Sequence, residues 1–168
     1  MNVIRTLVAR GRFLAELYLC DKDPSARKVA LATLQQVVHH SPGSFAPSLR
    51  DLILGGTLFE QIPQDVTQLD ASSIITLAGV NLVIASPDCQ PFSVAGNQHG
   101  FEDLRSSSFS HCLRVIRSIH DLTQQPLTYV VENVPGAGRY KSIIDALGLP
   151  LKASAHTLGS AARRETLI

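Results

Sequence analysis

The feature that most limits the fold of this chain is a recurring unit: a short, nearly continuous apolar run, then a polar turn, then an amphipathic helix. Asn81-Leu82-Val83-Ile84-Ala85 leads into a polar stretch beginning at Ser86, after which Phe109, Cys112, Leu113, Ile116, Ile119 and Leu122 recur at helical spacing. The unit repeats as Leu127 to Val131, then Gly136-Ala137-Gly138, then Ile143, Ile144 and Leu147. A strand without polar alternation is buried on both faces, so the pattern predicts an α/β fold: a largely parallel sheet with helices on either side. Residues 13–20 (FLAELYLC) read as a third strand, followed by Asp21-Lys22-Asp23-Pro24 and a helix carrying Ala26, Val29, Ala30, Thr33, Leu34, Val37 and Val38. Pro24 suits the first turn of that helix, where a missing N–H costs nothing.

Composition narrows the class further. A chain of 168 residues, 45% hydrophobic, has material for one well-buried domain, expected over 1–168. With 15 basic and 14 acidic residues and a net charge of +1, nothing global favours nucleic acid, so any such contact must be local. The three cysteines, Cys20, Cys89 and Cys112, are odd in number and form no CxxC pair, which argues against a disulfide framework or a zinc site. No apolar run reaches membrane-span length, and Met1 to Arg5 lacks the layout of a signal peptide. The expectation is an intracellular protein, nuclear in a eukaryote and cytoplasmic otherwise, without membrane or metal partners. Pro42 to Pro47 reads as a loop. Gly55-Gly56 lacks the spacing of a phosphate loop, and His39-His40 that of a metal pair.

Two polar segments lie where strands end, the position at which open α/β sheets bind ligands. In the first, Ser86-Pro87-Asp88-Cys89-Gln90-Pro91-Phe92-Ser93, a cysteine is fixed between two prolines, accessible and held as a nucleophile needs to be. A cysteine taken alone is more often a small buried apolar side chain, and Cys20 and Cys112 are assigned that role. In the second, Glu132 follows directly on the strand in Val130-Val131-Glu132-Asn133-Val134-Pro135; a lone glutamate there is commonly a solvated carboxylate or a helix cap.

The two segments together resemble the proline-cysteine-glutamine and glutamate-asparagine-valine motifs of the cytosine-C5 DNA methyltransferases. Further stretches fall in that family's order, from about Leu14 to the last residue. Asp21 looks like the ribose-binding carboxylate of S-adenosylmethionine, with Lys22 beside it, and Asp65 in Gln64-Asp65-Val66 like the residue that meets the adenine; Pro87 joins them as a cofactor contact. Phe101 to Ser106 resembles the stretch before the helix that follows the catalytic loop. Ser160 to Thr166 resembles the arginine-rich motif, with Arg164 matching its first arginine.

The resemblance implies a Rossmann-like S-adenosylmethionine-dependent fold, incomplete here, with the first strand and target-recognition region expected to be absent. It implies Cys89 as the thiolate that adds to carbon 6 of cytosine, Glu132 acting at nitrogen 3 and Arg164 holding the carbonyl oxygen. Gln90, Ser93, Asn133, Val134 and Arg105 would contact a base flipped from a DNA duplex, and the stretch from Gln90 to Leu104 would close over it. Asn97, Gln98 and His99 are further candidates for phosphate contacts.

Some positions depart from the family's pattern. No glycine-rich turn precedes Leu14, and Val3 to Arg10 reads as a helix instead. Asp88 stands where proline is usual, Thr166 where a second arginine is, and Ser106 and Ser108 where glycine and leucine are. The alternatives are a transfer-RNA methyltransferase, a non-enzymatic subunit or fragment that binds nucleic acid or a partner, and an unrelated nucleotide-binding domain of the same sheet type.

Overall fold

Asp23 shows how local chemistry starts a helix in this chain: its carboxylate accepts from the Ser25 N–H at 2.8 Å, and Pro24 takes the first helical position. The computed structural model describes residues 2–93, 100–103, 106–154 and 165–168. It divides between Gly79 and Val80 into two compact units.

The first unit is helical. Helix α1 spans Asn2–Ala9, α2 spans Pro24–His40, α3 spans Pro47–Gly55 and the short α4 spans Ala71–Thr76. Gly56, at φ +81°, ends α3 by donating its N–H to the Leu52 and Ile53 carbonyls, a backbone conformation that favours glycine. Leu34 and Val38 of α2 pack with Phe45, with Leu49 and Ile53 of α3, and with Leu58 in one buried cluster. Each such side chain contributes about 1.5–3 kcal/mol of burial.

Residues 13–20 do not form the strand predicted from their composition. Only Leu14 pairs, in an isolated parallel bridge with Phe45: its N–H donates to the Ser44 carbonyl at 2.8 Å, and its carbonyl accepts from Ala46 N–H at 2.9 Å. Beyond it the backbone is served by a side chain, as Gln61 Nε2 donates to the Leu17 carbonyl at 3.0 Å. An apolar run becomes a strand only where a second backbone lies alongside to complete the ladder. Leu14, Leu17 and Leu19 still serve burial, packing against the α2–α3 cluster.

The second unit has the predicted α/β arrangement. Strand β1 (Leu82–Ala85) pairs in parallel with β2 (Thr128–Val131), with Leu82 opposite Thr128 and Ala85 opposite Val131, and α5 (Ser107–Thr123) lies between them in sequence. After β2, a 3-10 turn at Pro135–Arg139 leads to α6 (Lys141–Leu147). Strands β3 (Lys152–Ser154) and β4 (Glu165–Leu167) form an antiparallel pair. Phe92, Phe109, Ile116, Val131, Ala137 and Ile143 make the core, with Val83 and Ala85 packed against it. Along α5, Phe109, Val115, Ile116 and Ile119 are buried. Leu122, predicted for the same face, is half exposed in the last turn of the helix.

Candidate functional site

Because β1 and β2 run in the same direction, their carboxyl ends lie side by side, and the two polar segments singled out in the sequence leave the sheet together. The Glu132 N–H donates to the Ala85 carbonyl at 2.9 Å, extending the ladder one residue past the last paired position. The Ser86 hydroxyl donates to Glu132 Oε2 at 2.7 Å. Asn133, almost fully buried, donates from Nδ2 to the Pro87 carbonyl at 3.2 Å, and its Oδ1 accepts from the Val134 N–H at 2.9 Å. A buried amide satisfied in this way is a rigid tie. The turn that carries Cys89 is thereby fastened to the turn that carries Glu132.

Cys89 is a free, half-buried thiol. It opens a 3-10 turn, Gln90–Phe92, and its carbonyl accepts from the Phe92 N–H at 3.0 Å. Pro91 is fully buried, and Phe92 sits among the rings of Phe101, Phe109 and Tyr140, with centroids 5.3–5.4 Å away and edges turned to faces. From the other side Gly136 lies against the Phe92 carbonyl so closely that a Cβ would overlap its oxygen. The base of the cysteine turn is thus held by an aromatic cluster and by a backbone that only glycine allows so near.

Two departures noted in the sequence are partners in the structure. The Asp88 N–H donates to Ser108 Oγ at 3.3 Å, and the Ser108 hydroxyl reaches Asp88 Oδ2 at 3.3 Å. A proline at 88 would have no N–H to place, and a leucine at 108 could not accept one. Asp88 and Ser108 therefore form a tie between the cysteine turn and the start of α5.

Three of the residues proposed for cofactor binding, Asp21, Lys22 and Asp65, lie in the first unit. The Asp21 N–H donates to Gln64 Oε1 at 3.4 Å, which links Asp21 to the neighbour of Asp65. Asp21 Oδ1 accepts from the Asp23 N–H at 2.9 Å. Asp65 Oδ1 accepts from the Thr67 N–H at 2.9 Å and from its hydroxyl at 2.8 Å. Both carboxylates bear on Cys20: desolvation first, then the charges of Asp65 and Asp21, push its thiol up to about 11. Cys20 is exposed and ends no strand, so the structure corrects the sequence reading of it as a buried apolar residue; Cys112 is half-buried on α5. Carboxylates accept from the hydroxyl and amine donors of an adenosine, and in that respect Asp21 and Asp65 fit S-adenosylmethionine.

Of the remaining candidates, Lys22 and Gln90 are exposed, Ser93 closes the 3-10 turn after Cys89, and Val134 packs partly buried against the core. Pro87 is buried, with its carbonyl taken by Asn133. Arg105, Arg164, Asn97, Gln98 and His99 lie outside the described residues. Sequence reasoning had given Ser86 no role, since nothing in one dimension sets residue 86 beside residue 132; the parallel register does. An apolar cavity beside β2, lined by Phe109, Tyr129, Val131, Asn133, Ile143 and Leu147 among others, presents no acidic, basic or thiol side chain and shares only Asn133 with the candidate site. Among the described residues no helix is long and apolar enough to cross a membrane, and no group of three or more His, Cys, Asp or Glu could hold a metal ion.

The profile of the C-5 cytosine-specific DNA methylases matches residues 56–142, more than half of the chain. The chain belongs to that family. The match contains Asp65, Cys89, Glu132 and Asn133 and crosses the boundary between the units; Asp21 and Arg164 fall outside it. The parallel β1–β2 pair and its helices are accordingly part of a Rossmann-like methyltransferase fold. Among curated relatives, a type II methyltransferase, M.AquIA of Picosynechococcus sp., is 38% identical over 80 residues, which is 45% of this chain and 30% of that protein. M.PspPI of Psychrobacter sp. is 41% identical over 70 residues, 39% of this chain and 16% of the relative. M.BanI of Aneurinibacillus aneurinilyticus is 35% identical over 78 residues, 46% of this chain and 16% of the relative. The chain therefore spans less than a third of the length of these methyltransferases. The family description names DNA, and transfer RNA as the substrate finds no support.

Proposed function

We propose that this chain carries methyl-transfer chemistry on cytosine in DNA, with Cys89 as nucleophile and Glu132 as the group that manages the ring proton. The observation that carries this reading is the tie between the two turns at the carboxyl ends of β1 and β2, made by Glu132 N–H to Ala85, Ser86 to Glu132 and Asn133 to Pro87. A single, partial catalytic domain over 1–168 is part of the proposal; the family match covers residues 56–142 of it.

Carbon 5 of cytosine is a weak nucleophile until the ring is activated. Cys89 Sγ adds to carbon 6, forming an S–C bond and moving electron density toward nitrogen 3, where Glu132 shares a proton. Bound S-adenosylmethionine would supply the methyl group as an electrophilic carbon. Asp21, Lys22, Asp65 and Pro87 are the residues that the family resemblance proposes to hold it. Once carbon 5 is methylated, loss of its proton returns the electrons that break the S–C bond and release Cys89. Arg164 is assigned to the carbonyl oxygen of the base; Gln90, Ser93, Arg105, Asn133 and Val134 are assigned to its surroundings. The ring is attacked from its face, so a cytosine in a duplex must be swung out of the stack at about a few kcal/mol.

The test uses a duplex pool of randomised sequence carrying 5-fluorocytosine, in which fluorine cannot leave carbon 5 as a proton does. Incubation with S-adenosylmethionine should give a denaturation-resistant protein–DNA adduct that Cys89→Ala abolishes. No adduct with the unsubstituted chain, or one that persists in Cys89→Ala, overturns the proposal.

A further inference from the structure

The geometry points to Ser86 as a positioning residue that holds the Glu132 carboxylate and tunes its hold on the proton; this rests on the reading of Glu132 given above. The Ser86 Oγ to Glu132 Oε2 separation is 2.7 Å, within the short range of hydrogen bonds to an ionised acceptor. The contact joins residues 46 apart in sequence, so it is a product of the fold and not of a local turn. Its two ends are fixed by different means. On one side the Glu132 backbone is pinned by its N–H bond to Ala85, the residue before Ser86. On the other, the next residue pair is clamped by Asn133 Nδ2 on the Pro87 carbonyl. With both backbones held, the hydroxyl has the carboxylate within reach, and engaging Oε2 restricts rotation of the carboxyl group.

The chemical consequence follows from the direction of the bond. A hydroxyl that donates to a carboxylate stabilises the charged form, so Glu132 releases its proton more readily than it would without Ser86. A residue that shares a proton with a ring nitrogen gains from this, because the proton must pass between them as charge moves in and out of the ring. An alanine or glycine at 86 would remove this donor from Oε2.

The experiment is a carbon-13 titration of the full chain labelled at the glutamate side-chain carboxyl. Signals come from Glu16, Glu60, Glu102, Glu132 and Glu165, and Glu132→Gln assigns the one of interest. In Ser86→Ala the Glu132 midpoint should rise by about 0.5–1 pH unit, while Ser86→Thr, which keeps the hydroxyl, should stay close to the parent. A far-UV circular dichroism spectrum and urea midpoint matching the parent show that the variant is folded. A Glu132 midpoint that does not move in Ser86→Ala, or that moves equally in Ser86→Thr, overturns the proposal. The fluorocytosine adduct decides the reading of the site, and the titration decides the role of Ser86, so the two fail separately. Where the adduct forms, its pH profile should move in the same direction as the titration in Ser86→Ala.

Discussion

Replacing Phe92 by alanine tests whether the base of the cysteine turn is built as part of the core. Phe92 is 2% exposed and touches three other rings at 5.3–5.4 Å. Returning its side chain to water costs about 1.5–3 kcal/mol. The cavity left behind brings the usual loss for a buried phenylalanine to about 3–5 kcal/mol. Three edge-to-face pairs, each worth about 0.5–1.5 kcal/mol, place the expected loss in the upper half of that range. With a urea slope of about 2 kcal/mol/M, the unfolding midpoint falls by about 2 M. Far-UV circular dichroism is the appropriate probe, because the chain has no tryptophan. Phe92→Leu keeps most of the volume and should lose no more than about 1.5 kcal/mol. A loss in Phe92→Ala below about 0.5 kcal/mol, the range of a surface site, would refute the packing argument.

Other substitutions probe separate features. Gly136→Ala forces a methyl group onto the Phe92 carbonyl and should destabilise by about 1–3 kcal/mol or more, read in the same urea titration. Cys20, with its thiol pushed up to about 11 from an ordinary 9, should react with a disulfide reagent at pH 8 about tenfold more slowly than an unperturbed thiol, because the loss of thiolate is partly offset by its higher nucleophilicity, and Asp65→Asn should speed it. The raised value also has a stability sign: the contribution is intact below about 9, the unfolded value, and is lost as pH rises toward about 11. Asp70 caps α4 by accepting from the Ser73 N–H, the Ser72 hydroxyl and the Ser73 hydroxyl, which lower its carboxyl to about 2. Its folded value is depressed, so the stabilisation is present above the ordinary carboxylate range and fades as pH falls toward about 2; Asp70→Ala should be less stable at pH 7 and indistinguishable from the parent below that point. Acid titration of the melting temperature checks it.

Much of this was legible in the residues alone. Apolar runs marked β1 and β2, and helical spacing marked α2, α5 and α6, because apolar strand composition and a 3.6-residue period leave a direct mark on sequence. The burial on both faces expected of β1 and β2 is not found, since Val131 alone among their residues is buried and Ile84 and Tyr129 are exposed. Pro24 behind Asp23 marked the start of α2 through local chemistry that needs no distant partner. The cysteine and glutamate segments were recognisable by residue type and order, and the family match covers both.

Tertiary structure decided what depends on a second stretch of chain. Residues 13–20 have a strand's composition, but a strand requires a neighbouring backbone and only Leu14 has one. Cys20 was read as buried, whereas it lies exposed with its thiol raised by desolvation and by Asp65 and Asp21, one of them 45 positions away. Asp88 and Ser108 looked like two separate losses and are one hydrogen-bonded pair. The position of Ser86 beside Glu132 follows only from the parallel register of β1 and β2. Periodicity and caps arise from forces acting within a few residues, so sequence records them directly; hydrogen bonds between distant residues exist only once the chain has closed on itself.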